Sequence, residues 1–134
     1  CKVRDITKII IHCSDTPEGV YFDAEDIRGW HVVDNGWSDL GYHYVILLDG
    51  TIQEGRDEET IGAHCRNQNY SSIGICYIGG ANGVDTRTPD QISAMYELLQ
   101  NRKLAHPKAT IHGHNEFSTK TCPNFNANLE YNCL

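Results

Sequence analysis

Positive charge is what this sequence is short of. It has 11 Lys and Arg against 18 Asp and Glu, a formal net charge of −7. A nucleic-acid binder normally presents a basic face, so that class is excluded, and nothing suggests docking on an anionic membrane. Long hydrophobic runs are missing too. The longest, Ile9-Ile10-Ile11 and Val45-Ile46-Leu47-Leu48, fall far short of the roughly 20 apolar residues that span a bilayer. No charged segment followed by an apolar one opens the chain, so no signal peptide is expected. The first residue is Cys1 rather than Met, which reads as removal of an initiator Met or of a longer leader. Repeats, low-complexity tracts and long linkers are absent. What remains is 134 residues, 40% hydrophobic and 22% charged. That is the makeup of a single globular domain, 1–134, with room for one core.

A disulfide scaffold is also unexpected. The six cysteines are residues 1, 13, 65, 76, 122 and 133. Their spacing is not that of a stapled mini-protein, and the chain is long enough to do without staples. Cys13 and Cys76 fall in apolar runs, where a free cysteine behaves as a small hydrophobe. Cys1 and Cys133 sit at the two ends. A disulfide locking the termini and two free thiols are both open readings.

The pattern of elements predicts an α/β fold. Residues 6–14 read as a buried strand ended by Ser14-Asp15-Thr16-Pro17. Asp23 reads as an N-cap, with Ile27, Trp30 and His31 on one helical face and Gly36 as the stop. Segments 42–48 and 51–54 flank Asp49-Gly50, a two-residue hairpin signal. Residues 72–78 form another β-rich run closed by Gly79-Gly80. Thr88-Pro89-Asp90-Gln91 is a capping box with proline at the first helical position. Ile92, Met95, Tyr96 and Leu99 follow at helical spacing, to about Arg102. Residues 109–113 read as a short last strand, and Leu129 as part of a final short helix. Strands interleaved with helices, plus one hairpin, imply a central mixed sheet flanked by helices.

The chemistry concentrates in Gly113-His114-Asn115-Glu116-Phe117-Ser118-Thr119-Lys120-Thr121-Cys122-Pro123. Imidazole nitrogen and thiolate sulfur are the ligands zinc prefers. Structural zinc sites close with four protein ligands, whereas catalytic ones keep a position open for water. His112 and His114 would share a strand face, so either one suits a metal. Upstream, His12 ends the first strand. Side-chain alternation sends Cys13 to the face of Ile9 and Ile11, away from His12. His12 is also consistent with a strand-end histidine satisfied by backbone, and Cys122 with a small buried residue. A three-ligand zinc site is the sharper alternative. Glu116 is a rival general base, or else a solvated loop carboxylate.

Taken in order, several segments resemble the zinc N-acetylmuramoyl-L-alanine amidases of the phage-lysozyme type, relatives of the peptidoglycan recognition proteins. The segments are Ile11-His12-Cys13-Ser14, Trp30-His31, Gly36-Trp37-Ser38-Asp39-Leu40-Gly41-Tyr42-His43-Tyr44, Asp49-Gly50-Thr51, Glu54-Gly55-Arg56, Gly62-Ala63-His64, Ser72-Ile73-Gly74-Ile75-Cys76, Gly113-His114 and Lys120-Thr121-Cys122-Pro123. The resemblance runs from about Ile9 to Phe125. It implies one Zn2+ per chain, held by His12, His114 and Cys122 at one edge of the sheet. It implies a catalytic tyrosine at Tyr42 and a catalytic lysine at Lys120, and substrate contacts at His64 and Asn69. Members with serine in place of the cysteine ligand bind peptidoglycan without cutting it, and this chain keeps Cys122. It departs from the family pattern at Asn67-Gln68, where a Gly-Tyr pair is usual. Asparagine tolerates the left-handed backbone that glycine supplies.

The resemblance further implies bacterial peptidoglycan as partner, a monomer, and no nucleic acid or membrane. Some phage members also bind a phage RNA polymerase, which nothing in this sequence tests. A phage endolysin would pass from host cytoplasm to periplasm and wall, and a chain with a removed leader would be secreted or held in the cell envelope. Three rivals stand beside the enzyme: a zinc-bearing peptidoglycan-binding module, a cysteine hydrolase using Cys122 or Cys65, and a structural zinc protein recruiting His112 or Cys13.

Overall fold

The computed structural model describes residues 6–30, 33, 41–65, 68–119 and 121–131. Five strands form one sheet: β1 (Lys8–Cys13), β2 (Tyr44–Ile46), β3 (Ile52–Glu54), β4 (Ser72–Tyr77) and β5 (Thr110–Gly113). Their order is β3-β2-β4-β1-β5. β1 runs parallel to both β4 and β5, and β2 runs parallel to β4, while β2 and β3 form the antiparallel hairpin. The expected mixed sheet is therefore present. β1 lies between two parallel neighbours, and Ile9, Ile10 and Ile11 are fully buried. A strand covered on both faces needs such a continuous apolar run rather than alternation.

Helices cover the two faces. α2 (Pro89–Ala105) packs Ala94, Met95, Leu98 and Leu99 onto Ile9, Ile11, Ile46, Ile73, Ile75 and Tyr77. α1 (Ala24–Gly29) packs Ala24 and Ile27 onto Val45, Leu47, Cys76 and Ile78 on the opposite face. Both helices begin as their capping sequences predict. Asp23 accepts from the Asp26 amide at 3.0 Å, and Asp26 accepts from the Asp23 amide at 3.0 Å. Thr88 and Gln91 make the same reciprocal pair at 3.1 and 2.9 Å. Trp30 caps α1 with a still helical backbone, φ −62 and ψ −44, whereas His31 and Gly36 lie outside the described residues. A short α3 (Ala127–Glu130) packs on β5 through Ala127. Arg87 anchors α3 by bonding Glu130 at 2.9 and 3.0 Å while lying 3.6 Å above the Phe125 ring.

Three details differ from the sequence pattern. The hairpin loop has three residues, not two: Leu47 donates to Thr51 at 2.8 Å, and Gly50 donates to Leu47 at 2.9 Å with φ +88. Such a loop is a turn followed by a left-handed glycine. α2 reaches Ala105, and its buried face is Gln91, Ala94, Met95, Leu98 and Leu99, with Ile92 43% and Tyr96 42% exposed. The buried Gln91 is satisfied, since its amide donates to Ile46 and Ile78 carbonyls at 3.3 and 3.0 Å. Leu129 lies in α3 but on its exposed side. Among the described residues no helix is long and apolar enough to cross a membrane.

Candidate metal centre

β1 and β5 are parallel neighbours and end side by side. His12 occupies the penultimate position of β1 and is 1% exposed. β5 stops at Gly113, and His114 opens a 3-10 turn, His114–Glu116. Position 113 has room only for glycine: a Cβ there would come 2.9 Å from Pro123 and 2.7 Å from the Asn115 side chain. Cys122 returns on the next loop, which is tied down along its length. Tyr77 donates its hydroxyl to the Pro123 carbonyl at 2.7 Å. Asn115 donates to the Thr121 and Phe125 carbonyls at 3.3 and 3.2 Å, and Asn124 to the Gly80 carbonyl at 2.7 Å. As a result the ligand atoms of His12, His114 and Cys122 lie within 4.8 Å of one another.

Two imidazoles and a thiol at this spacing fit a zinc ion, and three protein ligands are the number that leaves a position open. The Cys13 amide donates to the Cys122 sulfur at 3.1 Å, a contact that by itself works toward a thiolate there. The Cys13 and Cys122 thiols also interact. Their contact lowers the Cys13 thiol pKa and, followed by burial, pushes the Cys122 thiol up. Cys13 belongs to the α2-side core, as strand alternation predicts, and is not one of the three grouped ligands.

The trio borders a cleft of about 660 Å³ whose lining includes Tyr42, His64 and Thr119. The Tyr42 ring lies 5.1 Å from that of His12. Burial, followed by the neighbouring cysteines, pushes the Tyr42 phenol well above its ordinary range, so it keeps its proton. Lys120 lies outside the described residues. His112 is directed elsewhere, with Nδ1 2.9 Å from Glu116 and Nε2 2.6 Å from the Thr110 hydroxyl. Glu116 accepts from the Gly113 amide at 2.9 Å as well, so it braces the turn before His114. His64 lines the cleft, with its Nδ1 2.8 Å from His12 Nε2. Asn69 supports that wall from its side-chain oxygen, which accepts from the His64 and Cys65 amides at 2.9 Å each. Asn67, the position where a left-handed backbone was expected, is outside the described residues, and Gln68 has φ −117. Burial pushes the Cys65 thiol up, the opposite of what a nucleophile needs. Cys1 and Cys133 are outside the described residues.

Some of what holds the site had no signal in the sequence. His43 is fully buried; its Nε2 pairs with the Thr60 carbonyl at 2.7 Å, and its Nδ1 accepts from the Gly74 amide at 3.0 Å. Ser72 pairs with His64 at 3.2 Å. These contacts join residues 8 to 31 positions apart and follow no local period. The edge-on packing of His43 and His12 against His64, at ring separations of 5.8 and 4.9 Å, is visible only in three dimensions.

Comparison with known proteins agrees with this geometry. The endolysin of Escherichia phage T7 is 37% identical over 129 residues, 92% of this chain and 85% of that protein. The N-acetylmuramoyl-L-alanine amidase LysC from Clostridium intestinale superposes with a TM-score of 0.82 at 27% identity, covering 95% of this chain and 82% of that one. A Drosophila PGRP-LB mutant in complex with tracheal cytotoxin superposes with a TM-score of 0.82 at 26% identity, covering 96% and 81%. A family model described as N-acetylmuramoyl-L-alanine amidase matches residues 2–125. With fold and sequence in agreement, the chain belongs to the N-acetylmuramoyl-L-alanine amidase family that also includes the peptidoglycan recognition proteins.

Proposed function

We propose that this protein is a zinc-dependent peptidoglycan hydrolase that cleaves the amide between N-acetylmuramic acid and the L-alanine of the stem peptide. The observation that carries this reading is the convergence of His12, His114 and Cys122 within 4.8 Å beside an open cleft. Family membership and similarity to phage endolysins support the hydrolytic activity. A bound zinc ion would supply Lewis-acid charge and a water acidified to a pKa of about 7.

The chain's own residues do the rest. His12 and His114 would present neutral imidazoles and Cys122 a thiolate, a set that would offset only one of the two positive charges of a bound Zn2+. The Cys13 amide, 3.1 Å from the Cys122 sulfur, steadies the thiolate. Tyr42, kept protonated by burial, would orient the scissile carbonyl or relay a proton, a role that rests on its place in the family motif. Lys120 brings a cation to the carbonyl oxygen, a role with the same basis. Such donors act where charge develops rather than on the ground state. His64 and Asn69 shape the cleft wall that meets the glycopeptide. The route would be that of an endolysin, made in the host cytoplasm and acting on the wall at lysis, with residues 1–134 as one monomeric catalytic unit.

Peptidoglycan binding without hydrolysis is the competing reading, supported by PGRP neighbours solved with tracheal cytotoxin. Metal depletion separates the two. Dialysis against a strong chelator should abolish wall clearing, and stoichiometric Zn2+ should restore it. Clearing that persists in metal-free protein would overturn the zinc-dependent reading.

A further inference from the structure

The hydrogen bonds around His64 have only one consistent direction. We infer from it that His64 is a positioning residue: it sets which nitrogen of His12 carries hydrogen and so presents His12 Nδ1 to the metal. The inference concerns the metal centre proposed above and rests on that reading for its use, though not for its geometry.

The chain of bonds starts at a group with no choice. The Gln68 carbonyl can only accept, and the Ser72 hydroxyl lies 2.6 Å from it, so the single hydroxyl hydrogen points there. Toward His64 Nε2, 3.2 Å away, Ser72 can then only accept, so His64 Nε2 carries the hydrogen. A neutral imidazole has one N–H, which leaves a lone pair on His64 Nδ1. That atom is 2.8 Å from His12 Nε2, which must therefore donate. The lone pair of His12 is left on Nδ1. Which nitrogen of a ligating histidine faces a metal is set by the bond the other makes, and that bond also raises ligand basicity.

The His64 ring is built in place. A Cβ on Gly74 would come 2.5 Å from His64 Cγ, and one on Gly62 would come 2.7 Å from His64 Cδ2. The ring thus lies between two backbone segments that only glycine lets approach. Asn69 fixes the His64 backbone through its amide and that of Cys65. His43 ties the two sides together by bonding both the Thr60 carbonyl and the Gly74 amide. Few tilts of the ring are open, and the relay Gln68–Ser72–His64–His12 is held as a unit.

The test is nitrogen-15 NMR of the histidines in the full chain at pH 8, above the ordinary imidazole pKa of about 6.5. In the metal-free protein His12 and His64 should both be Nε2–H tautomers. On adding Zn2+ the His12 Nδ1 resonance should move to the coordinated range while Nε2 stays protonated. An Nδ1–H tautomer of His12, or coordination through its Nε2, overturns the inference. Tautomers as expected with no zinc uptake would retire the zinc reading and leave the relay standing. Zinc affinity, read by competition with a chromophoric chelator, gives a second measure. His64→Phe should weaken zinc binding by about 10–100-fold, the usual effect of losing such a partner. His64→Asn keeps an acceptor near the position of Nδ1 and should recover most of it. Unchanged zinc affinity in a folded His64→Phe protein, or no recovery with Asn, counts against the relay. Should the Phe variant not fold, the wild-type tautomers decide the question by themselves.

Discussion

The two faces of the sheet are buried by different means. On the α2 side, Ile9, Ile11, Ile73, Ile75, Met95 and Leu99 close an aliphatic core in which the apolar area removed from water does the stabilising. On the other side α1 covers Val45, Leu47, Cys76 and Ile78, but further along the strands the layer turns polar. There His12, His43, His64 and Ser72 are buried, with the His64 ring against Gly74. Buried polar groups are tolerable only when hydrogen-bonded, and each of these has a partner within 3.2 Å. The lesson is a division of labour across one sheet: one face holds the fold, and the other places imidazoles at fixed angles.

That contrast can be broken from either side. The largest effect should come from Cys122→Ser, which should abolish amidase activity and weaken zinc binding while circular dichroism stays native. A fully active, metal-replete variant would remove Cys122 from the ligand set. Lys120→Ala should keep its zinc and lose about 10²–10³ in turnover, the usual result of removing one donor to a developing oxyanion. An unchanged rate would return Lys120 to an ordinary loop position. Leu99→Ala, on the aliphatic face, should cost about 2–5 kcal/mol in denaturant unfolding. Its zinc affinity in the folded state should match wild type, and a parallel loss of zinc would mean that the two faces are not separable. Least affected should be Ile92→Ser, within about 0.5 kcal/mol of wild type, because Ile92 is 43% exposed.

That last prediction turns on a residue whose place the hydrophobic pattern misread. Pattern reading puts Ile92 and Tyr96 on the buried face of α2, because both are apolar and Gln91 is not. Gln91 takes the inner position because its amide satisfies the carbonyls of Ile46 and Ile78, and the face rotates by one residue. Elsewhere local chemistry was legible. The capping boxes at Asp23 and Thr88 and the buried run of β1 all stand as the residues predict. The loop at Asp49-Gly50 is one residue longer than its dipeptide signal implies, since Gly50 takes the left-handed position after the turn.

The site was legible in composition but not in direction. His112 and His114 are equivalent under strand alternation. They part because β5 ends at Gly113, after which His114 follows a 3-10 turn toward His12 and His112 stays with Glu116. The His12–His64 bond spans 52 positions, and no periodicity reports such a pairing. The resemblance implies substrate contacts at His64 and Asn69. Their hydrogen bonds add a task behind the metal ligand, with His64 on the His12 ring and Asn69 on the His64 backbone.

The central claim is that this cleft cuts the bond between muramic acid and L-alanine, and mass spectrometry of digested, purified peptidoglycan tests it most directly. Zinc-loaded protein should release stem peptides with a free L-alanine amino terminus and leave glycan strands with intact lactyl carboxylates. Peptidoglycan that binds the protein but yields no free stem peptides, or is cut at any other bond, would contradict it.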